Sequence, residues 1–322
     1  MEPVGVLMVG SVPGASSQEV FKRIAAALPG RLPAVPDGET GERYNYIGWQ
    51  RHRFPSVAWP TELGGDPLAE SKLPVFTLED VKETGYDTAA LSSYAELKRL
   101  RQQGAVASDI RFQIGLPSPY SVMAGHLKPE VAGAIEPLYE QRFAESIDNI
   151  VDNIPHGDVV IQWDLCFEMT ALEFDRGKPL DVRHKAYFSS PDGGVLRGLV
   201  DRVERLSRHI PDDFANALLA RTKTLGSRTE WIHMPVPKSR TDRAYFAPLA
   251  GLELDGDASG HPYLYLGVVH ANDEAGTRKR IEAAQSIVPF TFGVATECGL
   301  GRTSTDEIDS VLHICKSVAR PL

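Results

Sequence analysis

The feature that most constrains this fold is the alternation of short apolar runs with amphipathic helical stretches along nearly the whole chain of 322 residues. In the first unit, "VGVLMVGS" (4–11) is typical of a buried strand, and the helical pattern after it begins at serine and ends before glycine. Further strands are predicted at 31–38, 110–118, 158–166, 228–235, 249–254, 263–270 and 290–298. The pattern thus predicts about eight strands in βα order.

Alternation of this kind indicates an α/β protein with a parallel sheet, and eight units indicate a closed (β/α)8 TIM barrel that spans residues 1–322 as a single domain. A doubly wound open sheet is the alternative, but no GxGxxG turn follows the first strand. Residues 39–110 exceed a minimal barrel repeat and are rich in proline, glycine and aromatic residues. We interpret them as a loop excursion, or lid, over the C-terminal face of the barrel, with a second long loop at 172–195.

The composition is ordinary for a soluble globular protein and says little about a small-molecule substrate. A net charge of −9 argues against a nucleic-acid surface, which requires a basic face. The apolar run from Val4 to Val9 is too short to span a membrane and has no basic segment before it, so we expect neither a signal peptide nor a membrane helix. Three dispersed cysteines without a CxxC pair favour reduced thiols, and hence a cytoplasmic location.

Polar residues stand where most of the predicted strands end, which is where barrel enzymes place their active sites. Each one alone is ordinary, because the strand ends of any barrel are polar. Taken together, a histidine, a glutamate and a cysteine at separate strand ends are the ligand types that zinc takes. The residues at these ends are Ser11, Asp37, Glu39, Ser118, Asp164, His233, Glu253, His270 and Cys298.

Six segments around these residues resemble, in the same order, motifs of the catalytic half of cobalamin-independent methionine synthase. That family belongs to the barrel superfamily that also includes uroporphyrinogen decarboxylase. "VGSVPG" is similar to the family's I-G-S-F-P, "VPDGETGERYNYIGWQ" to H-G-E-x-x-R-N-D-M-V-x-Y-F, and "VIQWDLCFE" to Q-x-D-E-P-A. "WIHMPVP" is similar to I-H-x-H-M-C-Y, "LGVVHAND" to D-I-H-S-P, and "ATECGLGR" to N-P-D-C-G-L-K-T-R. The matches extend from residue 5 to residue 302, so the resemblance covers nearly the whole chain.

The resemblance implies a zinc ion that activates a thiol. In the family, His, Cys, Glu and Cys hold the ion, and His233, Glu253 and Cys298 match three of these ligands. Pro235 stands where the family has a cysteine, and its side chain cannot bind a metal. The resemblance therefore implies either a zinc site with three protein ligands and an open position, or a site from which the metal has been lost.

The resemblance also implies an amino-acid pocket. Ser11, Glu39 and Asp164 match the family residues that hold the amino and carboxylate groups of homocysteine, and we assign Asp37 to substrate binding with them. Leu165 replaces a neighbouring family glutamate, so one polar contact is missing. His270 matches the family histidine that moves a proton, and we assign it and Asp164 as catalytic.

The folate cofactor of the family has weaker support. Trp163 and Trp231 could stack on a pterin, but both lie within predicted strands, which favours a place in the core.

We therefore predict a methionine-synthase-like methyltransferase that transfers an alkyl group to a thiol or another small nucleophile, with an amino acid or a thiol as the candidate substrate. One alternative is a lyase, hydrolase or decarboxylase on the same barrel, which would use zinc-bound water or the carboxyl groups alone. Another is a non-catalytic protein that binds a small molecule. The sequence does not distinguish these alternatives, because one fold supports many activities.

Overall fold

A computed structural model describes residues 2–45, 47–69, 73–189, 194–207, 229–252 and 263–322. These residues form an α/β fold with parallel strands. The strands are β1 Val6–Leu7, β2 Ala34–Pro36, β3 Arg111–Pro117, β4 Val159–Asp164, β5 Trp231–Pro235, β6 Tyr263–Val269 and β7 Gly293–Thr296. The α-helices of the described residues are α1 Ser17–Ala27, α2 Tyr86–Gln102, α3 Pro119–His126, α4 Pro129–Asn153, α5 Phe167–Asp175, α6 Gly194–Ser207, α7 Arg243–Phe246, α8 Glu274–Gln285 and α9 Thr305–Val318.

The strands form two parallel sheets, with the orders β1-β7-β6-β5 and β2-β3-β4. Backbone hydrogen bonds also join the two sheets where β1 and β2 lie side by side. The Val12 N–H donates to the Gly38 carbonyl at 2.9 Å, and the Val6 N–H donates to the Arg31 carbonyl at 2.8 Å. Because all the strands run in the same direction, their carboxyl ends lie on one side of the fold.

Six of the seven strands contribute one residue each to a buried cluster that is separate from the main core. Successive side chains of a strand point to opposite faces, so the residues two positions before and after a member of this cluster point to the same side as that member. Packing of residues from both sheets against one another indicates that the sheets enclose a common interior. The six residues are Leu7, Ala34, Val160, Trp231, Tyr265 and Ala295.

The helices cover the other face of the strands, as their residue patterns predict. In α9, Ile308, Val311, Leu312 and Cys315 are buried, at the three- and four-residue spacing of one helix face. No helix of the described residues is long and apolar enough to cross a membrane.

The prediction of a strand at 249–254 is wrong over the part of this segment that the structure describes. Within 249–254, residues up to Gly251 belong to a 3-10 helix, Ala247–Gly251. Pro248 lies at the start of this helix and lacks the N–H that a central strand needs. Residues 253 and 254, including the predicted zinc ligand Glu253, lie outside the described residues.

Within the excursion predicted at 39–110, α2 supplies a regular helix between β2 and β3. Before α2, the chain follows a series of short 3-10 turns. Trp49 packs edge-on against Tyr86 of α2, with ring centroids 5.1 Å apart, and Phe54 packs on Tyr139 of α4 at 4.9 Å. The excursion therefore shares the main hydrophobic core with these helices.

We expect Leu7→Ala to lower the free energy of unfolding by about 2–5 kcal/mol, because it leaves a cavity in the enclosed cluster. Leu7 is 1% exposed, whereas Leu73 is 52% exposed and provides a control of the same chemistry. Urea unfolding of Leu7→Ala and Leu73→Ala would measure both effects. Equal losses for the two variants would contradict a packed interior between the sheets.

Candidate functional site

Three polar side chains meet at the carboxyl ends of β1, β2 and β4. The Ser11 hydroxyl donates a hydrogen bond to the Glu39 carboxylate. A Cβ atom placed on Gly115 of β3 would stand 3.2 Å from Glu39 Oε1 and 3.3 Å from Asp164 Oδ2. Both oxygens thus lie within 3.3 Å of one point, the Cβ position of Gly115. The distance between the two oxygens is therefore at most the sum of the two distances to that point. The missing side chain of Gly115 leaves the space between the two carboxyl groups open.

Glu39 is buried and Asp164 is half-buried, and this withdrawal from water raises the proton affinity of both carboxyl groups. Burial raises the pKa of Glu39 to about 8, although the Ser11 hydrogen bond lowers it, and the charges of Asp164 and Asp37 raise it further. Burial also raises the pKa of Asp164 to about 7, against the hydrogen bond from Gln162. At neutral pH the pair therefore exchanges protons readily and can act as acid, base or anion.

The backbone at Glu39 has an unusual conformation. Its φ of 51° lies in the left-handed region, which residues with a Cβ atom rarely adopt. Gly38 before it has a φ of 82°, and a Cβ there would stand 2.9 Å from the Val12 carbonyl oxygen. The Asp-Gly-Glu sequence thus makes a tight turn that brings the Glu39 side chain back over the strand ends.

Two buried glutamines hold the Asp164 carboxylate in place, one by a direct hydrogen bond and the other through the first glutamine. Gln162 lies two residues earlier on the same face of β4, and its amide donates to Asp164 Oδ1 at 2.7 Å and to the Val9 carbonyl at 2.6 Å. Gln113 of β3 donates to Gln162 Oε1 at 3.0 Å and to the Met8 carbonyl at 2.8 Å. The Asp164 carboxylate is thereby fixed relative to β1 and β3.

The turn after β7 packs directly on Ser11. The Leu300 N–H donates to the Ser11 carbonyl at 2.6 Å. A Cβ atom on Gly299 would stand 3.2 Å from Ser11 N, and one on Gly301 would stand 2.9 Å from Ser11 Cβ. The two glycines of the Cys-Gly-Leu-Gly segment are therefore needed to place Cys298 beside this pocket.

Cys298 is an exposed residue, but the surrounding protein makes its thiol a weak acid. Burial of the sulfur raises its pKa, and the carboxylates of Asp164 and Glu297 add to the increase, whereas Arg302 opposes it. Without a metal, Cys298 is therefore a thiol at neutral pH. A metal ion would deprotonate it on binding.

His233 points into the interior from β5 and is held by a backbone carbonyl of β7, which lies on the other side of β6. Its Nε2 lies 2.9 Å from the Thr296 carbonyl oxygen, which can only accept, so Nε2 carries the proton. Gly267 of β6 leaves the room for this contact, since a Cβ there would stand 3.1 Å from His233 Nε2. Burial lowers the pKa of His233 to about 4, and the neutral ring therefore presents a lone pair at Nδ1.

This arrangement fits one half of a zinc site. A histidine that binds zinc through one nitrogen usually donates its other N–H to a carbonyl or carboxylate, as His233 does. Cys298, which has a sulfur donor, lies in the turn just after β7, whose Thr296 carbonyl His233 contacts, whereas Pro235 is exposed and offers no donor. The described residues contain no group of three or more His, Cys, Asp or Glu side chains that could hold a metal ion. The third ligand that the resemblance implies, Glu253, lies outside the described residues.

His270 lies at the end of β6 beside Glu297. Its Nε2 donates to the Val236 carbonyl at 2.9 Å, and its Nδ1 is 3.8 Å from Glu297 Oε2. Burial lowers the pKa of His270 below its ordinary value. At neutral pH the two side chains therefore do not form an ion pair, and His270 Nδ1 can accept a proton.

The remaining sequence-predicted residues have other surroundings. Trp163 and Trp231 are each 4% exposed, so neither presents a ring face to a pterin. Asp37 accepts hydrogen bonds from Arg43, Ser93 and the Glu39 backbone, and these contacts occupy both of its oxygens.

Sequence reasoning missed five residues that support the site. Two of them are polar residues inside apolar strands, a signal that alternation along β3 and β4 could have revealed. The other three are recognisable only from tertiary contacts. The five are Arg43, Ser93, Gln113, Gln162 and Thr296.

Comparison with known proteins supports the fold. No protein-family model matches the chain, and no match is found among curated protein sequences. The fold is similar to the solved structure of a B12-independent methionine synthase from Shewanella sp. W3-18-1 in complex with selenomethionine, with a TM-score of 0.51 and 14% sequence identity. The alignment covers 98% of this chain and 96% of that one. At this identity the similarity supports the α/β class of the fold and no more.

We expect Gly115→Ala to abolish ligand binding at the carboxyl pair while leaving the fold intact. The new methyl group would fill the point that lies within 3.3 Å of both carboxyl oxygens. Gly133→Ala is the control, because no atom lies within 4 Å of its Cβ position. Isothermal titration calorimetry with a primary amine would compare the two. Unchanged binding in Gly115→Ala would place the ligand elsewhere.

We expect Glu39→Gln to stabilise the fold at high pH. Folding raises the pKa of Glu39 from 4.5 to about 8, so the folded state binds more protons than the unfolded state between these values. The carboxyl group therefore destabilises the fold increasingly as the pH rises through this window. Relative to wild type, Glu39→Gln should gain on the order of a few kcal/mol between pH 5 and pH 9.

Urea unfolding at these two pH values would measure the gain. Glu79→Gln, at an exposed position, controls for the loss of one charge. A gain that is the same at both pH values would contradict the raised pKa of Glu39.

Proposed function

We propose that this protein is a methionine-synthase-like enzyme that binds a sulfur-containing amino acid by its ammonium group between Glu39 and Asp164 and transfers an alkyl group at the sulfur. The observation that carries the proposal is the convergence of these two buried carboxyl groups on the open position at Gly115. The similar fold of a methionine synthase in complex with selenomethionine supports the choice of ligand.

An ammonium group suits this pocket for electrostatic reasons. Two carboxyl groups that are buried together repel each other when both are ionised, and this raises their pKa values. A cation between them offsets the repulsion and forms charge-assisted hydrogen bonds, which are stronger than neutral ones. Binding of an amine therefore offsets the free-energy cost of ionising Glu39 and Asp164 in their withdrawn positions.

The carboxylate end of the amino acid fits the opposite side of the pocket. Ser11 lies at the end of β1, and Gly299 leaves space beside its N–H and hydroxyl group. Backbone N–H groups and hydroxyls are ordinary partners of a carboxylate. This orientation directs the side chain of the amino acid toward the turn that carries Cys298.

The sulfur chemistry involves the turn after β7 and the end of β5. His233 Nδ1 and the Cys298 thiol are the described atoms that would hold a zinc ion, with Glu253 as the third ligand. When bound, zinc supplies the positive charge that keeps a substrate thiol deprotonated at neutral pH. His270 acts as the proton acceptor through Nδ1, since Nε2 is engaged with the Val236 carbonyl.

A lyase or hydrolase activity on the same site is the second candidate. It is favoured by one observation, namely that the pKa values of about 8 for Glu39 and about 7 for Asp164 bracket the neutral range in which a carboxyl pair works as general acid and base. Dependence of turnover on an added thiol distinguishes the two candidates. The transferase requires the thiol as acceptor, whereas the lyase or hydrolase does not.

The proposed chemistry calls for a closed barrel as its scaffold. Closure between β4 and β5 is supported by Val160 and Trp231, which belong to the same interior cluster although they come from different sheets. We propose further that the chain forms a single domain in which the excursion after β2 borders the site. Tyr44 supports this, because its carbonyl oxygen would stand 2.9 Å from a Cβ on Gly301.

We expect L-methionine to bind and its analogue without the amino group, 4-(methylthio)butanoate, to bind at least about tenfold more weakly, because the analogue lacks the charge-assisted hydrogen bonds. Asp164→Asn should reduce the affinity for L-methionine and shrink the difference between the two ligands. Asp309→Asn is the control at an exposed ion pair with Arg23. Calorimetry would measure all six affinities, for two ligands and three proteins. Equal affinity of wild type for both ligands would exclude the ammonium pocket.

We expect Pro235→Cys to bind zinc more tightly than wild type. Residue 235 lies two positions after His233 and on the same face of β5, so a thiolate there adds a donor at the same site. Met234→Cys is the matched control, since its side chain points to the opposite face. Competition with a chelator would compare the zinc affinities, with His233→Ala as the variant that should lose the metal. If Pro235→Cys and Met234→Cys released zinc at the same chelator concentration, the metal would not lie at this site.

A further inference from the structure

Asp37, at the end of β2, is buried beside Glu39 and holds three donors. Its Oδ1 accepts the Glu39 N–H at 2.9 Å. Its Oδ2 accepts from Arg43 Nη2 at 2.6 Å and from the Ser93 hydroxyl at 2.7 Å. Asp37 is only 5% exposed, so its carboxylate faces these partners and not the solvent.

The contact with the Glu39 N–H matters because of the backbone at Glu39. A glutamate at a φ of 51° is in an unfavourable conformation, and such a conformation persists only where neighbouring contacts determine it. An aspartate that accepts a hydrogen bond from the N–H two residues later makes a tight local turn. Loss of this bond would let Glu39 relax toward an ordinary conformation, which would swing its side chain away from Ser11.

We propose that Asp37 is a positioning residue of the amine site, which holds the Glu39 side chain against Ser11 and Gly115 through the Glu39 backbone and ties the site to Arg43 and α2. This inference rests on the function proposed above and assigns Asp37 a role other than direct contact with the substrate. It extends the site to the mouth of the pocket, since Arg43 belongs to the turn that also carries Tyr44.

The chemistry of the side chain explains why aspartate is required. A carboxylate offers acceptor sites for all three donors, whereas an asparagine would direct its NH2 group at one of them. Ser93 lies on α2 and Arg43 on the turn after Glu39, so the carboxylate joins three segments at one point. The negative charge of Asp37 also pairs with Arg43, which an amide cannot do.

The ion pair sets the charge of Glu39 as well as its position. The charge of Asp37 raises the pKa of Glu39, and that of Arg43 lowers it. Removal of the Asp37 charge should therefore lower the pKa of Glu39, and removal of the Arg43 charge should raise it. The groups around Glu39 are Ser11 of the β1 end, Asp37 of the β2 end, Asp164 of the β4 end, Arg43 of the following turn and Tyr86 of α2.

The test is the titration of Glu39 by carbon-13 NMR in protein labelled at the glutamate carboxyl carbons, with Glu39→Gln identifying the resonance. Wild type should titrate near pH 8. We expect Asp37→Asn to shift the midpoint downward and Arg43→Gln to shift it upward. Ser93→Ala, which removes a neutral donor only, should leave the midpoint close to wild type. The affinity for L-methionine should fall at least about tenfold in Asp37→Asn, which corresponds to a loss of about 1.4 kcal/mol in binding free energy.

Two results would overturn the inference. One is an unchanged Glu39 midpoint in both Asp37→Asn and Arg43→Gln, and the other is a shift of both in the same direction. If Asp37→Asn does not fold, Arg43→Gln alone decides, and a Glu39 midpoint that does not rise in this variant would overturn the inference. The titration needs no ligand. Absence of L-methionine binding in wild type would therefore reject the proposed function without deciding the role of Asp37.

Discussion

Two carboxyl groups buried beside a single glycine are the constraint on which the rest of the site depends. Each group would be more stable in water, and burial raises the pKa of Glu39 to about 8 and that of Asp164 to about 7. A fold retains such a pair only if surrounding contacts hold it and if function needs it. Asp37, Gln162 and Ser11 supply these contacts, and a cationic ligand would supply the missing counter-charge.

Glycines at inward-facing positions control which side chains can meet across the strands. Gly115 leaves room between Glu39 and Asp164, Gly267 lets His233 reach the Thr296 carbonyl, and Gly299 lets the Cys298 turn approach Ser11. In each case an added Cβ would come within 3.3 Å of a polar atom of the site. The geometry of the site is therefore set as much by absent side chains as by the polar residues.

Much of the architecture could be predicted from residue patterns, because alternation of apolar runs and amphipathic helices reflects burial directly. The order of the strands and the polar residues at their ends follow from it. The predicted strand at 249–254 was wrong over its described part, since an apolar run of that length does not distinguish a strand from a 3-10 turn that begins at Pro248. The similar fold of a methionine synthase agrees with the α/β class predicted from these patterns.

Other features of the site could not be predicted. Nothing in the sequence distinguishes the supporting role of Asp37 from that of Glu39, since both follow the same strand and differ through backbone geometry. The left-handed conformation of Glu39 is equally invisible, because only glycine signals such a conformation reliably. The alternation along β3 and β4 marks Gln113 and Gln162 as polar residues within apolar strands, but their hydrogen bonds toward Asp164 follow only from the tertiary structure. The metal ligands remain a prediction, as Glu253 lies outside the described residues.

The most direct test of the amine pocket is the number of protons released when L-methionine binds. At pH 7, Glu39 is mostly protonated and Asp164 about half protonated, whereas an ammonium group between them requires both to be ionised. Calorimetry in buffers of different ionisation enthalpy should therefore reveal the release of about one proton or more per ligand. A binding heat that does not depend on the buffer would contradict the account.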